Sequence, residues 1–209
     1  MNPHLRRHAR NNRRVMRNLV KVLSSRLVHQ GNLVRLREDR VVLPHGTEAV
    51  YEFVVIKHGS SVVAMGENGD VWLVREWKYA IDRPSLEVVG IEPDETPVEA
   101  AHRELREELG KTACELIPLG HVDPFTTMLR CPNHLFLARG LSEAKRAPEE
   151  AESNMELHRM PFQQAYDLAL NGEITHGSSC VAIFRAAEWL RRADEATQPL
   201  FRSSPPTPR

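Results

Sequence analysis

The most informative segment of this chain is Arg103-Glu104-Leu105-Arg106-Glu107-Glu108-Leu109-Gly110, because as a helix it would place three carboxylates on one face. With about 100° between successive helical residues, Glu107 and Glu108 lie about 60° and 40° to either side of Glu104. Like charges four residues apart destabilise a bare helix, so a compensating ligand is expected. Hard divalent cations such as Mg²⁺ prefer carboxylate oxygens. A solvated, Glu-rich helix face is the other interpretation of the same residues.

The flanking residues predict a loop, a capped helix and a second loop. Thr96 suits the N-cap, Pro97 suits the first helical position, and Gly110 ends the helix. A buried stripe is expected opposite the carboxylates, because apolar residues recur at steps of three and four: Val98, Ala101, Leu105 and Leu109. The helix is therefore predicted to have one apolar face and one acidic face.

This segment resembles the Nudix box, in which Gly, five residues, Glu and seven residues precede Arg-Glu-aliphatic-X-Glu-Glu-X-Gly-aliphatic. Four parts of the chain match it in register: Glu95, Arg103-Glu104-Leu105, Glu107-Glu108 and Gly110. Val89 stands where the first Gly belongs, with Gly90 one place late, and Lys111 replaces the last aliphatic residue. Because a residue with a Cβ resists positive φ, Val89 is expected to alter the loop before the helix. Lys111, at the helix end, is expected to be harmless.

The resemblance extends from about residue 20 to about residue 192 and is similar in detail to ADP-ribose pyrophosphatases and related nucleotide-sugar hydrolases. Four segments carry this similarity: 23–46, 75–87, 156–162 and 171–174. It implies an α/β fold with a mixed sheet, arranged as an α/β/α sandwich with N-terminal β-strands. It also implies a homodimer in which those strands pack across subunits. The implied reaction is hydrolysis of the pyrophosphate bond of a nucleoside diphosphate sugar, with ADP-ribose, giving AMP and ribose 5-phosphate, as the leading candidate.

The same resemblance implies the roles of the catalytic residues. The expected ligands of Mg²⁺, or of Mn²⁺, are four carboxylates: Glu95, Glu104, Glu107 and Glu108. Arg103 is expected to steady this cluster, and a simple surface ion pair is the alternative interpretation. Relatives supply a general base from a late loop, where Ser153 stands at the matching position. Glu152, one residue earlier, is therefore the candidate base.

Candidate substrate contacts are less specific. They comprise aromatic residues that suit stacking on a base and cations that suit phosphates: Trp77, Phe125, Arg75, Lys78 and Arg83. Core packing and coverage of the sheet edge are the alternative interpretations. The loop 123–132 lacks the Ser-Pro-Gly-like turn and the acidic residue of many ADP-ribose hydrolases, so the exact substrate is left open. Single histidines such as His102 and His176 are given no role.

The composition limits the possible classes of protein. With 209 residues and 41% hydrophobic content, the chain suits one well-packed domain, and its zero net charge gives no electrostatic case for nucleic acid. Cys114, Cys131 and Cys180 are widely spaced and odd in number, which indicates free thiols in a reducing compartment. No apolar run has the length of a transmembrane segment, so a cytoplasmic location is expected.

The predicted organisation has four parts. Residues 1–21 form a basic mobile arm, residues 22–60 the N-terminal strands expected at the dimer interface, residues 61–195 the Nudix domain, and residues 196–209 a disordered tail. The arm is interpreted as a solvated tail, in preference to an arm that binds RNA or anionic lipid or to an Arg-rich transit peptide.

Between the arm and the tail, the residue pattern predicts strands, helices and one hairpin turn. Strands are expected at 50–56, 61–65, 71–75, 114–122, 134–138 and 155–160, helices at 163–170 and 181–192, and the turn at 66–70.

A second hypothesis comes from the departures at Val89, at the late-loop glutamate and in the loop 123–132. Together they are compatible with a catalytically impaired Nudix fold that binds a nucleotide without cleaving it, with the basic arm contacting RNA or membrane. The retention of all four box glutamates argues against this hypothesis, because a binding-only site does not require a full metal cluster.

Overall fold

The computed structural model describes residues 19–91, 96–146 and 154–197, and these divide into two compact units. The first unit comprises residues 19–57 and 125–131, and the second comprises the described parts of 58–124 and 132–197. The predicted basic arm, apart from its last three residues, and nearly all of the predicted tail lie outside the described residues.

The described chain contains strands β1 (Lys21–Gln30), β2 (Val34–Val42), β3 (Glu48–Ile56), β4 (Gly59–Met65), β5 (Asp70–Lys78), β6 (Arg83–Glu87), β7 (Val89–Ile91), β8 (Lys111–Val122), β9 (Leu129–Arg130), β10 (Asn133–Glu143) and β11 (Glu156–Pro161). Its helices are α1 (Pro97–Glu107), α2 (Phe162–Leu170) and α3 (Gly177–Thr197), and a single 3₁₀ turn spans Tyr79–Ile81.

The first unit is a four-stranded sheet with the order β1-β2-β3-β9. β1 and β2 pair antiparallel, as do β2 and β3, whereas β3 and β9 pair in parallel through Val54 and Leu129. Arg26 and Glu38 are direct cross-strand partners and form an ion pair at 2.6 Å. The loop after residue 124 therefore contributes a strand to this sheet, a pairing that the sequence did not predict.

The second unit is built on a seven-stranded mixed sheet with the order β11-β5-β4-β10-β8, in which β6 also pairs with β5 and β7 with β4. β4 and β10 run parallel, and the other pairs are antiparallel. Every residue of β4 is buried, as expected for a strand that is covered on both faces.

Alternate residues of the central strands enter two separate cores. Val63, Leu73 and Leu135 pack with residues of α2 and α3, such as Ala165 and Ile183. Their neighbours pack on the other face with residues of α1, in a core that includes Val62, Val74, Phe136, Ala101 and Leu105. Period-two alternation thus places one helical layer on each face of the sheet. This arrangement confirms the predicted α/β/α sandwich.

The predicted elements are present with modest shifts at their ends. The hairpin turn closes through a hydrogen bond from the Gly66 amide to the Asp70 carbonyl at 2.9 Å. β8 begins three residues before its predicted start, and α3 extends beyond both predicted ends. All three cysteines are free, as expected. In the described part of the chain, no helix is long and apolar enough to cross a membrane.

Candidate active site

The start of α1 is fixed by a capping box. The Thr96 side chain accepts a hydrogen bond from the Glu99 amide at 3.3 Å, and the Glu99 carboxylate accepts one from the Thr96 amide at 3.0 Å. Hydrogen bonds from the Thr96 side chain and backbone lower the pKa of Glu99. The Ser60 hydroxyl also donates to the Pro97 carbonyl at 3.1 Å, which ties the first turn to β4. Local sequence alone predicted this start correctly.

The carboxylates of α1 are more deeply buried than the sequence predicted. Glu104 is 1% exposed and Glu108 is 3% exposed, whereas Glu107 remains partly accessible. The expectation that the carboxylates lie opposite the buried stripe is wrong for Glu104 and Glu108, because both are buried, like Leu105, on a helix that packs against β4, β7 and β8. The predicted place of Val98 in the stripe is also wrong. Val98 is 48% exposed because it lies in the first turn, beside the solvent-facing capping box.

Arg103 lies between two of these carboxylates. Its guanidinium forms an ion pair with Glu104 and a second one with Glu107, the latter at 2.6 Å. A shared guanidinium reduces the repulsion between neighbouring carboxylates and restricts their rotamers. This geometry suits a residue that steadies the cluster, and that role stays a prediction.

The end of α1 positions Glu108 through the backbone. Gly110 has φ +65°, and a Cβ there would lie 3.0 Å from the Arg146 Cβ and 3.1 Å from the Ala144 carbonyl oxygen. The Ala144 amide donates to the Gly110 carbonyl at 2.7 Å, and Arg146 Nε donates to the Glu108 carbonyl at 2.6 Å. The chain that follows β10 therefore holds the turn that carries Glu108.

Lys111, which replaces an aliphatic residue of the box, is accommodated. Only 8% of the residue is exposed, so its aliphatic stem occupies a packed position. Its ammonium lies 2.7 Å from the Glu143 carboxylate and 4.7 Å from the centroid of the Trp72 ring. The charge that the substitution introduces is thus paired.

Val89 causes no backbone strain, because it lacks the positive φ on which the expected change of the loop depended, and residues 92–95 of that loop lie outside the described residues. It is an extended residue of β7, opposite Val62, and is fully buried in the core under α1. Among the described residues, Asp82 is the only non-glycine residue with positive φ. The close approach falls instead at Gly90, where a Cβ would lie 2.5 Å from the Ser60 carbonyl oxygen. Glycine is therefore required one residue later than the box pattern places it.

Two of the predicted substrate residues lie together. Arg75 and Trp77 line a cavity of about 370 Å³ whose other lining residues are Glu76, Pro84, Asn154 and Glu156. Arg75 is the cross-strand partner of Glu156 on β11 and of Leu86 on β6. The cavity combines a cation and an exposed indole, which suits a phosphate and a base.

The remaining predicted substrate residues lie elsewhere. Arg83 does not line this cavity and instead donates to the Thr175 hydroxyl at 2.8 Å. Phe125 belongs to the first unit, is 53% exposed, and accepts a backbone hydrogen bond from Leu129 at 3.0 Å.

Lys78 has a more central position than its sequence context suggested. It lies two and four residues from Glu76 and Val74 on β5, so all three share the sheet face that α1 covers. Its ammonium lies 2.6 Å from the Glu76 carboxylate. Burial lowers the pKa of Lys78, but the Glu76 hydrogen bond and the charges of Glu87, Glu76 and Glu108 outweigh this and raise it. The sequence signal for this position is the spacing of four residues between Lys78 and Val74, which places both side chains on the same face of a strand.

The structure describes only some of the predicted metal ligands. Glu95 and the candidate base Glu152 lie outside the described residues. Within residues 19–91, 96–146 and 154–197, no three His, Cys, Asp or Glu side chains are grouped to hold a metal ion. Mg²⁺ characteristically uses one or two carboxylates together with substrate phosphates and water instead of an all-protein cage. The hard oxygen donors of Glu104 and Glu108, both buried at one end of α1, therefore fit that ion.

Comparison with known proteins defines the class of this chain. The family model of the NUDIX domain matches residues 57–179, and that of the nucleoside diphosphate sugar hydrolase N-terminal domain matches residues 20–54. The chain belongs to the Nudix family, with this N-terminal domain preceding the Nudix domain.

Its relatives include two proteins named ADP-ribose pyrophosphatase. The protein from Mycobacterium tuberculosis is 31% identical over 170 residues, covering 77% of this chain and 80% of its own length. The protein from Bacillus subtilis is 27% identical over 173 residues, covering 78% and 90%. A crystal structure of an ADP compounds hydrolase superposes with a TM-score of 0.72 at 21% identity, covering 83% of this chain and 95% of that one, and it supports the fold.

Proposed function

We propose that this protein hydrolyses the pyrophosphate bond of a nucleoside diphosphate sugar. ADP-ribose is the leading candidate, with AMP and ribose 5-phosphate as products. The observation that carries the proposal is the pair of buried carboxylates, Glu104 and Glu108, at the C-terminal end of a Nudix-box helix. Two bacterial relatives named ADP-ribose pyrophosphatase support the choice of substrate.

The carboxylates of α1 are proposed to hold Mg²⁺. Glu104, Glu107 and Glu108 are the ligands in this proposal, with Glu95 directly or through water. A divalent ion bound there would neutralise part of the negative charge of the pyrophosphate and would lower the pKa of an attacking water. Arg103 restricts the orientation of two of these carboxylates through its ion pairs with Glu104 and Glu107. The deep burial of Glu104 excludes bulk water from that carboxylate, which strengthens its interaction with a cation.

The substrate is proposed to contact the cavity beside β5. Two cations are proposed to meet the phosphates: Arg75, which lines this cavity, and the half-buried Lys78, which lies outside its lining on the face that α1 covers. Trp77 offers an exposed indole for stacking on the base. Glu152 is the proposed general base. A substrate panel determines which nucleobase and which sugar the site accepts.

The first unit is proposed to form a homodimer interface. Every residue of β1 is exposed in the single chain, including Val22 and Leu27 at 55% and 53%. An exposed apolar strand of this length favours association, and a second copy of the chain is the occupant that the N-terminal domain suggests. Size-exclusion chromatography with light scattering tests this proposal. A dimer for the wild type and a monomer for Leu27→Glu are expected, whereas a monomeric wild type would contradict it.

The experiment that tests the proposed activity is a hydrolysis assay over a substrate panel with Mg²⁺ or Mn²⁺. The panel comprises ADP-ribose, GDP-mannose, UDP-glucose, NADH, diadenosine polyphosphates and 8-oxo-dGTP. Glu107→Gln is the test variant, and Glu115→Gln, an exposed glutamate on β8, is the matched control.

Metal-dependent turnover that is lost in Glu107→Gln and retained in Glu115→Gln supports the proposal. The absence of turnover on every substrate, with thermal stabilisation by ADP-ribose preserved, would overturn it and favour a Nudix fold that binds a nucleotide without cleaving it.

A further inference from the structure

We propose that His176 is a positioning residue of the candidate active site, which holds Glu87 and, through Glu87, the Lys78 ammonium on the sheet face covered by α1. This inference rests on the proposed function, because it concerns the same site. It gives a role to a histidine that the sequence left without one.

The geometry around His176 is the first support. His176 precedes α3, and its Nδ1 lies 2.8 Å from the Ser179 hydroxyl and 3.3 Å from the Glu87 carboxylate. The Ser179 hydroxyl in turn accepts a hydrogen bond from the Val88 amide at 3.0 Å. Because an ionised carboxylate can only accept, Glu87 favours the tautomer that carries its proton on Nδ1. The imidazole therefore bridges α3 and the junction of β6 and β7.

Further contacts fix this junction next to the site. Arg83 of β6 donates to the Thr175 hydroxyl, one residue before His176. Ser179 is fully buried, and the Cys180 amide donates to the His176 carbonyl at 3.0 Å. The start of α3 is thus attached to β6 and to the segment that leads into β7. A side chain held by this many contacts restricts the position of its partner.

The register of the β5–β6 hairpin connects Glu87 to Lys78. Glu87 is opposite Val74, and Glu76 is opposite Ser85, so Glu76 and Glu87 are diagonal neighbours on one face. Lys78 shares that face and contacts Glu76. Because Val74 packs in the core under α1, this face is the one that α1 covers. The ammonium therefore contacts Glu76, and the charges of Glu87 and Glu108 also raise its pKa.

The charges of Glu87 and Lys78 both act on the pKa of His176. Burial lowers the pKa of His176, the negative charge of Glu87 raises it, and the positive charge of Lys78 lowers it, with a net decrease below the ordinary value. Neutral His176 leaves the Glu87 charge available to Lys78. Protonated His176 competes for Glu87 and repels Lys78, so acidification is expected to displace the ammonium.

The kinetic test compares His176→Asn with wild type and with His102→Asn, a control at an exposed histidine of α1. KM and kcat for ADP-ribose are measured with Mg²⁺ from pH 5 to 9. KM is expected to rise about three- to tenfold in His176→Asn, with a smaller change in kcat, as is typical of residues in a coupled network. Wild type and His102→Asn are expected to show an acid-side rise in KM that His176→Asn lacks. An unchanged KM together with an unchanged pH profile would overturn the proposal.

A second measurement does not depend on activity. The His176 imidazole is titrated by NMR in wild type, Glu87→Gln and Lys78→Met, with thermal unfolding used to confirm that each variant folds. The pKa of His176 is expected to lie below 6.5, to fall further in Glu87→Gln and to rise in Lys78→Met. No response to either substitution would overturn the proposal, even if the protein cleaves ADP-ribose. The predicted response without ADP-ribose cleavage would instead reject the proposed function while supporting the electrostatic link.

Discussion

The two faces of the seven-stranded sheet are built from alternate residues of the same strands, yet they differ in what they bury. The face covered by α2 and α3 is apolar, with residues such as Leu135, Leu137 and Ile183. The face covered by α1 contains a similar apolar core, but the helix also buries Glu104 and Glu108 there. Strand alternation is therefore sufficient for the sandwich, and the buried carboxylates of α1, together with Glu76 and Lys78 of β5, give the face under α1 its charge. We expect substitutions on the two faces to separate activity from stability.

The largest expected effect is on the charged face. Glu108→Gln removes one buried carboxylate while keeping its shape, so kcat/KM for ADP-ribose is expected to fall by about 10²-fold or more. The melting temperature is expected to be unchanged or raised, because like charges on α1 repel one another. Steady-state kinetics and thermal unfolding check the two parts, with Glu115→Gln as control. A large loss of stability together with the loss of activity would contradict the expected separation of activity from stability on the two faces.

The next effect is on the apolar face. Leu135 is fully buried, so Leu135→Ala is expected to lower the free energy of unfolding by about 2 to 5 kcal/mol. The kcat of the folded fraction is expected to stay within a factor of two or so of wild type. Urea unfolding measures the first quantity, and Leu170→Ala, at a site 62% exposed, is the matched control. Equal destabilisation by both variants would show that this face is not the main source of stability.

Gly110→Ala tests the link between the backbone of α1 and its charge. An alanine at φ +65° costs about 1 to 3 kcal/mol, and here its Cβ would also meet Ala144 and Arg146. Gly172→Ala is the control, because Gly172 has φ +80° but no atom within 4 Å of its hypothetical Cβ. Lower stability and lower kcat/KM are expected for Gly110→Ala than for Gly172→Ala. Matching kinetics for the two variants would argue that the turn does not position Glu108.

The smallest effect is expected on the outer surface of α3. Hydrogen bonds from Arg191 and Arg192 lower the pKa of Glu188 to about 2. A carboxylate whose pKa is lower in the folded than in the unfolded state contributes stability above pH 4.5, and this contribution is lost as the pH falls from 4.5 towards 2. The melting temperature of wild type is therefore expected to fall more steeply over this range than that of Glu188→Gln. Because the group is exposed, the difference should be small and should decrease with added salt. Parallel pH profiles would contradict the assignment.

Sequence reasoning predicted the features that depend on local chemistry. Thr96 and Pro97 define the start of α1, and Gly110 defines its end, because capping and positive φ are properties of a few adjacent residues. The turn at 66–70 follows from the same local rules.

Features that depend on distant parts of the chain were missed. The burial of Glu104 requires α1 to be covered by strands on both sides of it in sequence, and the parallel pairing of β9 with β3 joins segments far apart. The contact between His176 and Glu87 likewise forms only when α3 docks beside the β6–β7 junction. The Gly90 requirement was visible as a glycine one place late, but its cause, the Ser60 carbonyl, lies on another strand.

The most direct test of the central claim follows the products of ADP-ribose cleavage by ³¹P NMR, with Mg²⁺ present, for wild type and Glu104→Gln. The buried carboxylates of α1 are predicted to be necessary for conversion to AMP and ribose 5-phosphate, so wild type should form both products and a folded Glu104→Gln variant should form neither at a comparable rate. Equal rates of product formation by the two proteins would contradict the claim that the charged face of α1 is the active site.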